Sequence, residues 1–307
     1  MGLRINYSMS NSSLKGKKVI VTGAEGFMGR ALTERLKIEG AKVIPLDLAL
    51  GSDITDLDKT VKLLKVYRKI DVVYHLAAVS FVPYSWENPQ KTLDVNLRGT
   101  LNMLEICRIK KTDRFVLVSS YVYGRPDYLP IDEKHPVRPA NPYSWSKYLS
   151  EGLCRTYSAS FGINCVILRP FNIIGPGQKG GFLLPQIIEQ AKKKGSIKLN
   201  DPRPKRDFLF ISDMVEALIK AGMFMNNGCE IFNIGYGKSY SVREIIKIVQ
   251  EVSGKKFMSS YRGVKRKGEI LDVSADIRKA KKVLKWIPKT SIKESIRKIW
   301  EGPLDED

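Results

Sequence analysis

Two groups of residues, 120 positions apart, have the types and spacing to do chemistry. The first is Gly23-Ala24-Glu25-Gly26-Phe27-Met28-Gly29, directly after the apolar run Val19-Ile20-Val21. Three glycines at this spacing, between a buried strand and a helix, suit a dinucleotide. Gly23 permits a sharp turn, Gly26 lets a pyrophosphate reach the backbone, and Gly29 lets helix and strand pack closely. The helix end then offers free N–H groups and a positive dipole to the phosphates. A second strand, Lys42 to Leu46, ends at Asp47, 24 residues after Gly23. A carboxylate there can bind both ribose hydroxyls of NAD and would repel a 2′-phosphate. No Arg follows Asp47 to welcome NADP. The plainer reading of Asp47 is a cap on the turn that begins at Leu48.

The second group is Tyr143-Ser144-Trp145-Ser146-Lys147. On a helix Tyr143 and Lys147 share a face. A free phenol titrates near ~10 and is a poor base at neutral pH. An ammonium within reach, with a positive nicotinamide ring, lowers that value by about 1–3 units and poises Tyr143 as a base. Thirteen tyrosines and many lysines make the pattern easy to meet by chance, so its position is what counts. The run Phe115-Val116-Leu117-Val118 reads as a strand that ends in Ser119-Ser120 ahead of this helix. Carboxyl ends of parallel strands line the ligand crevice, and a hydroxyl there can bond a substrate oxygen as charge develops.

The elements that must position these groups alternate along the chain. Strands are expected at 18–22, 42–46, 71–76, 114–118 and 164–168. Long helices are expected from Pro89 to Lys110, with apolar residues at 93, 97, 101, 104 and 106, and from Pro142 to Phe161. This βα alternation predicts an α/β fold with a doubly wound parallel sheet. After Arg169-Pro170, glycine and proline cluster at 175–177 and 180–181, and shorter elements follow. The expected organisation is a disordered tail over 1–15, a Rossmann domain over 16–170, and a smaller substrate lobe over 171–307 from which some elements return to the sheet.

Composition bounds the partners. The 307 residues can bury a large core. No apolar run approaches the roughly 20 residues of a membrane span, and the first fifteen residues lack the apolar core of a signal peptide. Cys107, Cys154, Cys165 and Cys229 form no Cys-x-x-Cys pair, and only His75 and His135 exist to join them in a metal site. Buried, reduced thiols in a cytoplasmic protein without a structural metal are expected. The net charge is +20, and fifteen Lys and Arg against four acids lie between Lys255 and Lys298. These cations are scattered, without the interleaved aromatics of a nucleic-acid platform, so a solvated face is expected rather than an RNA site or a membrane-binding surface.

A larger set of motifs runs in the same order. It comprises Gly23-x-x-Gly26-x-x-Gly29, Asp53-Ile54, His75-Leu76-Ala77-Ala78, Asn96, Ser119-Ser120-x-Val122-Tyr123-Gly124 and Pro142-Tyr143-x-x-Ser146-Lys147. It continues with Arg169-Pro170-Phe171-Asn172-x-x-Gly175-Pro176-Gly177, Arg206-Asp207-Phe208 and Arg266-x-Gly268-Glu269. From about Lys17 to Trp300 the chain resembles the extended short-chain dehydrogenases/reductases that act on nucleotide sugars, the UDP-glucose 4-epimerase-like family. The resemblance implies that Tyr143 and Lys147 are the catalytic pair and that Ser119, five residues before Gly124, is the catalytic hydroxyl. It implies adenine contacts from Asp53 and Ile54, and further cofactor contacts from Phe27, Met28, Leu76, Ala77, Ala78, Asn96 and Pro170. Ser120, Tyr121, Asn172, Arg206 and Arg266 match substrate-binding positions, the last three on the diphosphate. Paired helices of a homodimer are implied at 89–110 and 142–161.

Departures narrow the reaction. Tyr121 stands where dehydratases and decarboxylases of this superfamily carry Glu, and Ser120 where dehydratases carry Asp. Ile174 replaces a tyrosine frequent in epimerases. The expectation is a nucleotide-sugar 4-epimerase with bound NAD. The alternative is an NAD(P)H-dependent 4-keto-6-deoxysugar reductase, against which Asp47 counts. A packing role is expected for His75, and a structural bridge remains open for Asn96.

Overall fold

The computed structural model describes residues 13–178, 181–225, 227–264 and 270–302. In chain order the cofactor half runs β1 (Lys18–Thr22), α1 (Phe27–Ile38), β2 (Lys42–Leu46), α2 (Leu57–Leu64), β3 (Val72–His75), α3 (Val82–Glu87), α4 (Pro89–Leu93), α5 (Gly99–Ile109), β4 (Arg114–Val118), α6 (Pro142–Phe161) and β5 (Asn164–Pro170). The remainder is β6 (Asn172–Ile174), α7 (Leu183–Lys194), β7 (Ser196–Leu199), β8 (Lys205–Phe210), α8 (Ile211–Met223), β9 (Cys229–Ile234), β10 (Ser239–Ser241), α9 (Val242–Ser253), β11 (Met258–Tyr261) and α10 (Ile292–Glu301).

Six parallel strands form the central sheet in the order β2-β1-β3-β4-β5-β9. The order reverses between β2 and β3 around β1, which places a ligand crevice outside the carboxyl ends of β1 and β3. Alternating side chains serve the two faces. Val19, Val21, Val72, Tyr74, Val116 and Val118 pack with Leu32 and Leu36 of α1 and Met214 and Leu218 of α8. Ile20, Val73, Phe115, Leu117 and Ile167 pack with Met103 and Ile106 of α5 and Cys154 of α6. Both faces are covered, so the sheet is doubly wound as its βα alternation requires. β9 pairs with β5 from far along the chain. Leu14 already lies in the core. Among the described residues no helix is long and apolar enough to cross a membrane.

A second core lies outside the sheet. Leu184, Ile187 and Ile188 of α7, Ile245 and Val249 of α9, and Ile296 of α10 enclose it with Ile197 and Phe208. Two small sheets flank it, one ordered β10-β8-β6 and one pairing β11 with β7.

α6 starts and stops where its sequence dictates. Asn141 caps it in a reciprocal box with Ser144, Pro142 occupies the first turn, and Gly162 ends it in the left-handed conformation. The long helix expected from Pro89 is interrupted. A π-helical stretch, Asp94–Arg98, separates α4 from α5. Asn96 is its buried residue, flanked by the buried Thr92 and Thr100, while Leu101 is 37% exposed. The apolar periodicity therefore misses the face buried around the interruption, which hydrogen bonds orient, while Leu104 and Ile106 beyond it are buried in the core as expected.

Candidate active site

The glycine turn is built by leaving side chains out. Gly23 has φ +67°, and a Cβ on it would lie 2.8 Å from the Ala77 nitrogen. Only glycine both turns the chain and lets the ends of β1 and β3 close together. A Cβ on Gly29 would overlap the Gly23 carbonyl oxygen, so α1 starts in contact with the turn. Gly26 caps α1 without a side-chain bond to its first N–H groups, and no acidic residue stands in that first turn. Those donors and the positive helix end fit a pyrophosphate. Met28 packs on the sheet core. Phe27 lies against the second half of the molecule, since a Cβ on Gly175 would come within 3.2 Å of its ring.

Asp47 serves this turn and also caps the short helical turn Leu48–Leu50. Its carboxylate accepts the Glu25 N–H at 3.0 Å and the Ala49 N–H at 3.0 Å. Each oxygen keeps a further lone pair, so capping does not exclude ribose binding. Asp53 is exposed and bonds the Thr55 N–H and hydroxyl. Ile54 is buried, and it fills the space a side chain on Gly99 would need.

Thr22, which belongs to none of the sequence motifs, organises the end of β3. Its hydroxyl oxygen accepts the N–H groups of Leu76 and Ala77, each at 3.1 Å. His75 Nδ1 lies 2.9 Å from the same oxygen, and its Nε2 lies 3.0 Å from the Thr100 hydroxyl. Burial, with the Lys147 charge adding to it, pushes His75 down to about 3. A neutral ring wedged between two threonines is a strut, which is the packing role expected of it. Asn96 is a bridge: its amide donates to the Val79 carbonyl and the Ser146 hydroxyl and accepts from the Val79 N–H. Beyond Ala78, it fixes the loop against α6.

Tyr143 and Lys147 stand one turn apart on α6. Lys147 is buried and its ammonium donates to the Val118 carbonyl at 2.8 Å. Burial pushes it down to about 8, with Cys154 and Glu151 opposing. Tyr143 is partly exposed as a residue, but its hydroxyl is deep. Burial pushes the phenol up to about 12, a hydrogen bond from Ser120 opposes the rise, and Tyr121 adds to it. The lowered phenol expected from the Tyr-Lys spacing is therefore not produced by these side chains alone. Lys147 is turned to the end of β4, and a positive nicotinamide remains the group that would favour the phenolate.

The two serines after β4 differ in burial. Ser119 is only 1% exposed, and its hydroxyl donates to Glu151 Oε1 at 2.7 Å. Ser120 is half-buried, and its hydroxyl opposes the rise of the Tyr143 phenol. Counting back from Gly124 selects Ser119, and in the fold that hydroxyl lies against Glu151, while Ser120 is the more exposed of the two. Glu151 lies outside the sequence motifs, although Tyr143, Lys147 and Glu151 repeat at helical spacing. Arg169 grips its carboxylate with two bonds, Nε at 2.8 Å and Nη2 at 2.6 Å.

The substrate-side residues gather on neighbouring elements. Pro170 ends β5 and is buried. Asn172 begins β6 and donates to the Asp207 carbonyl on β8 at 3.2 Å, next to Arg206. Arg206 donates to the carbonyls of Lys205 and Ile270. Asp207 is buried and accepts the N–H groups of Tyr236, Gly237 and Ala275. Tyr121 stacks on Phe171 with ring centroids 5.5 Å apart. Arg266 lies outside the described residues.

Known proteins resemble this chain over most of its length. The NAD dependent epimerase/dehydratase family matches over residues 19–235. The UDP-glucose 4-epimerase of Mycolicibacterium smegmatis is 31% identical over 92% of this chain and 97% of its own length. The GDP-6-deoxy-D-mannose reductase of Pseudomonas aeruginosa is 30% identical over 95% of this chain and 99% of its own. The Thermus thermophilus UDP-glucose 4-epimerase in complex with NAD superposes with a TM-score of 0.82 at 29% identity, over 91% of this chain and 96% of that one. With its glycine turn, its Tyr-Lys helix and a family match over most of its length, the chain belongs to the NAD dependent epimerase/dehydratase family.

Proposed function

We propose that the protein is a nucleotide-sugar 4-epimerase of the UDP-glucose 4-epimerase type, working with NAD held at the glycine turn. One observation carries the reading. Tyr143 and Lys147 of α6 stand at the carboxyl end of β4, two strands from the glycine turn that ends β1. Bound NAD supplies an acceptor, and then a donor, of the hydride at sugar C4. Tyr143 takes the O4 proton and later returns it. Lys147 holds a positive charge near that phenol. A serine hydroxyl at the end of β4 bonds O4.

Asn172 and Arg206 bind the diphosphate, with Arg266 as a third contact; the guanidinium fork suits that anion. Binding the nucleotide tightly leaves the 4-keto sugar free to turn, so its other face meets the cofactor. Asp47 takes the adenine ribose hydroxyls and disfavours a 2′-phosphate, which ranks this reading above a keto-sugar reductase. The same helices support a homodimer, because Leu101 of α5 and Trp145 and Leu149 of α6 are 37%, 47% and 42% exposed. Sedimentation of wild type against Leu149→Lys tests that: a dimer that becomes a monomer supports it.

The deciding experiment extracts freshly purified protein for NAD(H). It then supplies UDP-glucose, UDP-N-acetylglucosamine and GDP- or dTDP-linked 4-keto-6-deoxysugars. Copurified NAD and C4 inversion without net NADH change is the expected result. An empty protein that oxidises NAD(P)H stoichiometrically on a keto sugar is a reductase instead.

A further inference from the structure

A carboxylate beside the substrate strands has no part in the proposed chemistry. Asp207 follows Arg206 on β8 and is fully buried. Successive side chains of a strand take opposite faces, so this carboxylate lies on the face away from the Arg206 side chain. It accepts three main-chain N–H groups. Tyr236 donates to Oδ1 at 2.7 Å, and Gly237 and Ala275 donate to Oδ2 at 2.9 Å and 3.0 Å. Tyr236 and Gly237 belong to the turn between β9 and β10, and Ala275 lies 68 positions beyond Asp207. One side chain therefore joins three stretches of chain that are remote in sequence.

The fit is close. A Cβ on Gly235 would lie 2.6 Å from the Ala275 Cβ and 2.9 Å from Asp207 Oδ2. Gly237 has φ +85°, a left-handed conformation that suits glycine. Two successive N–H groups in such a turn form a concave anion site, and here the anion is a side chain of the protein itself. Burying a carboxylate is costly unless its lone pairs are met. An apolar side chain would close this strand against the core more simply, so what the carboxylate adds is a fixed placement of the two stretches it holds.

Those stretches adjoin the groups assigned to the diphosphate. Asn172 of β6 donates to the Asp207 carbonyl at 3.2 Å. Arg206 donates to the Ile270 carbonyl at 2.7 Å, and the Lys205 N–H donates to the Leu271 carbonyl at 2.7 Å. Lys205 and Asp272 form a parallel bridge. The stretch 270–275 follows Arg266 in the sequence. On its other edge-pairing, β8 sets Arg206 opposite Tyr240 of β10. β8 is thus tied to Asn172, to the turn that leads into β10, and to the chain that comes from Arg266.

We propose that Asp207 is a positioning residue for the diphosphate of the substrate: its carboxylate pins the β9–β10 turn and the stretch 270–275 to β8, so that Asn172, Arg206 and Arg266 close on one anion. The inference rests on the assignment of those three residues to the diphosphate in the proposed function. It does not depend on whether the sugar is epimerised or reduced. A residue that acts through the diphosphate grip weakens binding and spares the step at Tyr143.

The test compares wild type with Asp207→Asn. Titration calorimetry gives Kd for UDP, GDP and dTDP and for the matching monophosphates, and the base that wild type binds best is carried forward. Rates are then measured with the nucleotide sugar, or with a nucleotide-linked 4-keto-6-deoxysugar and NAD(P)H, whichever the wild type turns over. Asn keeps the volume and one acceptor oxygen but sets an NH2 against a main-chain N–H. The variant is expected to bind the nucleoside diphosphate about ten-fold more weakly and the monophosphate less than about three-fold more weakly. KM should rise about ten-fold, with kcat within about two-fold and copurified NAD unchanged. A lower Tm with wild-type Kd values leaves a purely structural carboxylate and overturns the inference. An equal loss for mono- and diphosphate overturns it too, since the effect is then not on the diphosphate grip. If Asp207→Asn does not fold, hydrogen exchange of the wild type decides. Bound nucleoside diphosphate should slow exchange at Tyr236, Gly237 and Ala275 by about ten-fold, and unchanged exchange at those amides overturns the inference. A wild type that binds the diphosphate no tighter than the monophosphate overturns instead the assignment of Asn172, Arg206 and Arg266 on which it rests.

Discussion

The turn that ends β1 and the wall formed by β4, α6 and β5 lie two strands apart, and they are built on opposite principles. At the turn, function is made by omission. Gly23 and Gly29 sit where a single added carbon meets backbone, and the first N–H groups of α1 carry no side-chain cap. At the wall, function is made by accumulation. Ser119, Lys147, Glu151 and Arg169 are all buried polar groups, and each is hydrogen-bonded. The two regions should therefore fail differently. The turn breaks when an atom is added, because backbone cannot move aside. The wall breaks when a partner is removed, because a buried charge left alone is costly.

The sharpest way to separate them is to abolish each function alone. Tyr143→Phe removes one oxygen from the wall and no charge. It should cut turnover by on the order of 10³-fold while the protein still copurifies with NAD and melts at the wild-type temperature. Turnover near wild type would remove Tyr143 from the mechanism. Gly29→Ala adds one carbon at the turn, where it overlaps the Gly23 carbonyl. It should reverse the pattern, with the Tyr143 wall intact but copurified NAD lost and stability lower by about 1–3 kcal/mol. NAD content after gel filtration and a thermal melt read both. If Gly29→Ala retains a full complement of NAD, the turn is not the cofactor cradle.

Asp47→Asn is a milder probe of the turn. It keeps a side-chain oxygen to cap Leu48–Leu50 but loses the charge facing the Glu25 and Ala49 N–H groups. NAD affinity should fall by about ten-fold, the preference over NADP should narrow, and stability should fall by about 1 kcal/mol. An unchanged NAD-to-NADP ratio would leave Asp47 as a cap alone.

The same contrast explains what could be read in the sequence. The turn is local: strand, three glycines, helix and the carboxylate after the next strand all follow from short-range sterics and spacing. So do β1, β2, β4 and α6, whose bounds agree with the expected ones. The wall is not local. Ser119 meets Glu151 across 32 residues, and Asn96 meets Ser146 across 50. No spacing rule reports such a pair. Counting from a glycine selects Ser119, but it cannot say that this hydroxyl meets Glu151 in the fold. The interruption of the helix at Asp94–Arg98 is hidden for a related reason. The face buried around it carries Thr92, Asn96 and Thr100, and apolar periodicity is blind to a face that packs through hydrogen bonds. Glu151 alone has a local signal, its place four residues after Lys147.

His75 joins the two regions, and it should have the smallest effect on turnover and a distinct effect on stability. Its ring is bonded to Thr22 at the end of β1 and to Thr100 beneath α6. In the fold it titrates at about 3, against an ordinary value of 6.5. Between those values the unfolded chain binds a proton that the folded chain refuses, so His75 makes stability fall as pH drops from 6.5 toward 3. Asp207 acts in the opposite sense. Burial raises it from 3.8 to about 6, so the fold keeps a proton that the unfolded chain releases, and stability from this group is lost as pH rises through that window. The wild-type curve mixes the two, and only a difference isolates one. His75→Asn should be less stable than wild type at pH 7, and the gap should close by about 3 kcal/mol on going to pH 4, while kcat at pH 7 stays within about two-fold. Urea melts at the two pH values measure it. Parallel losses at both would mean that the ring takes up its proton inside the fold, and that the joint between turn and wall is open to water rather than dry.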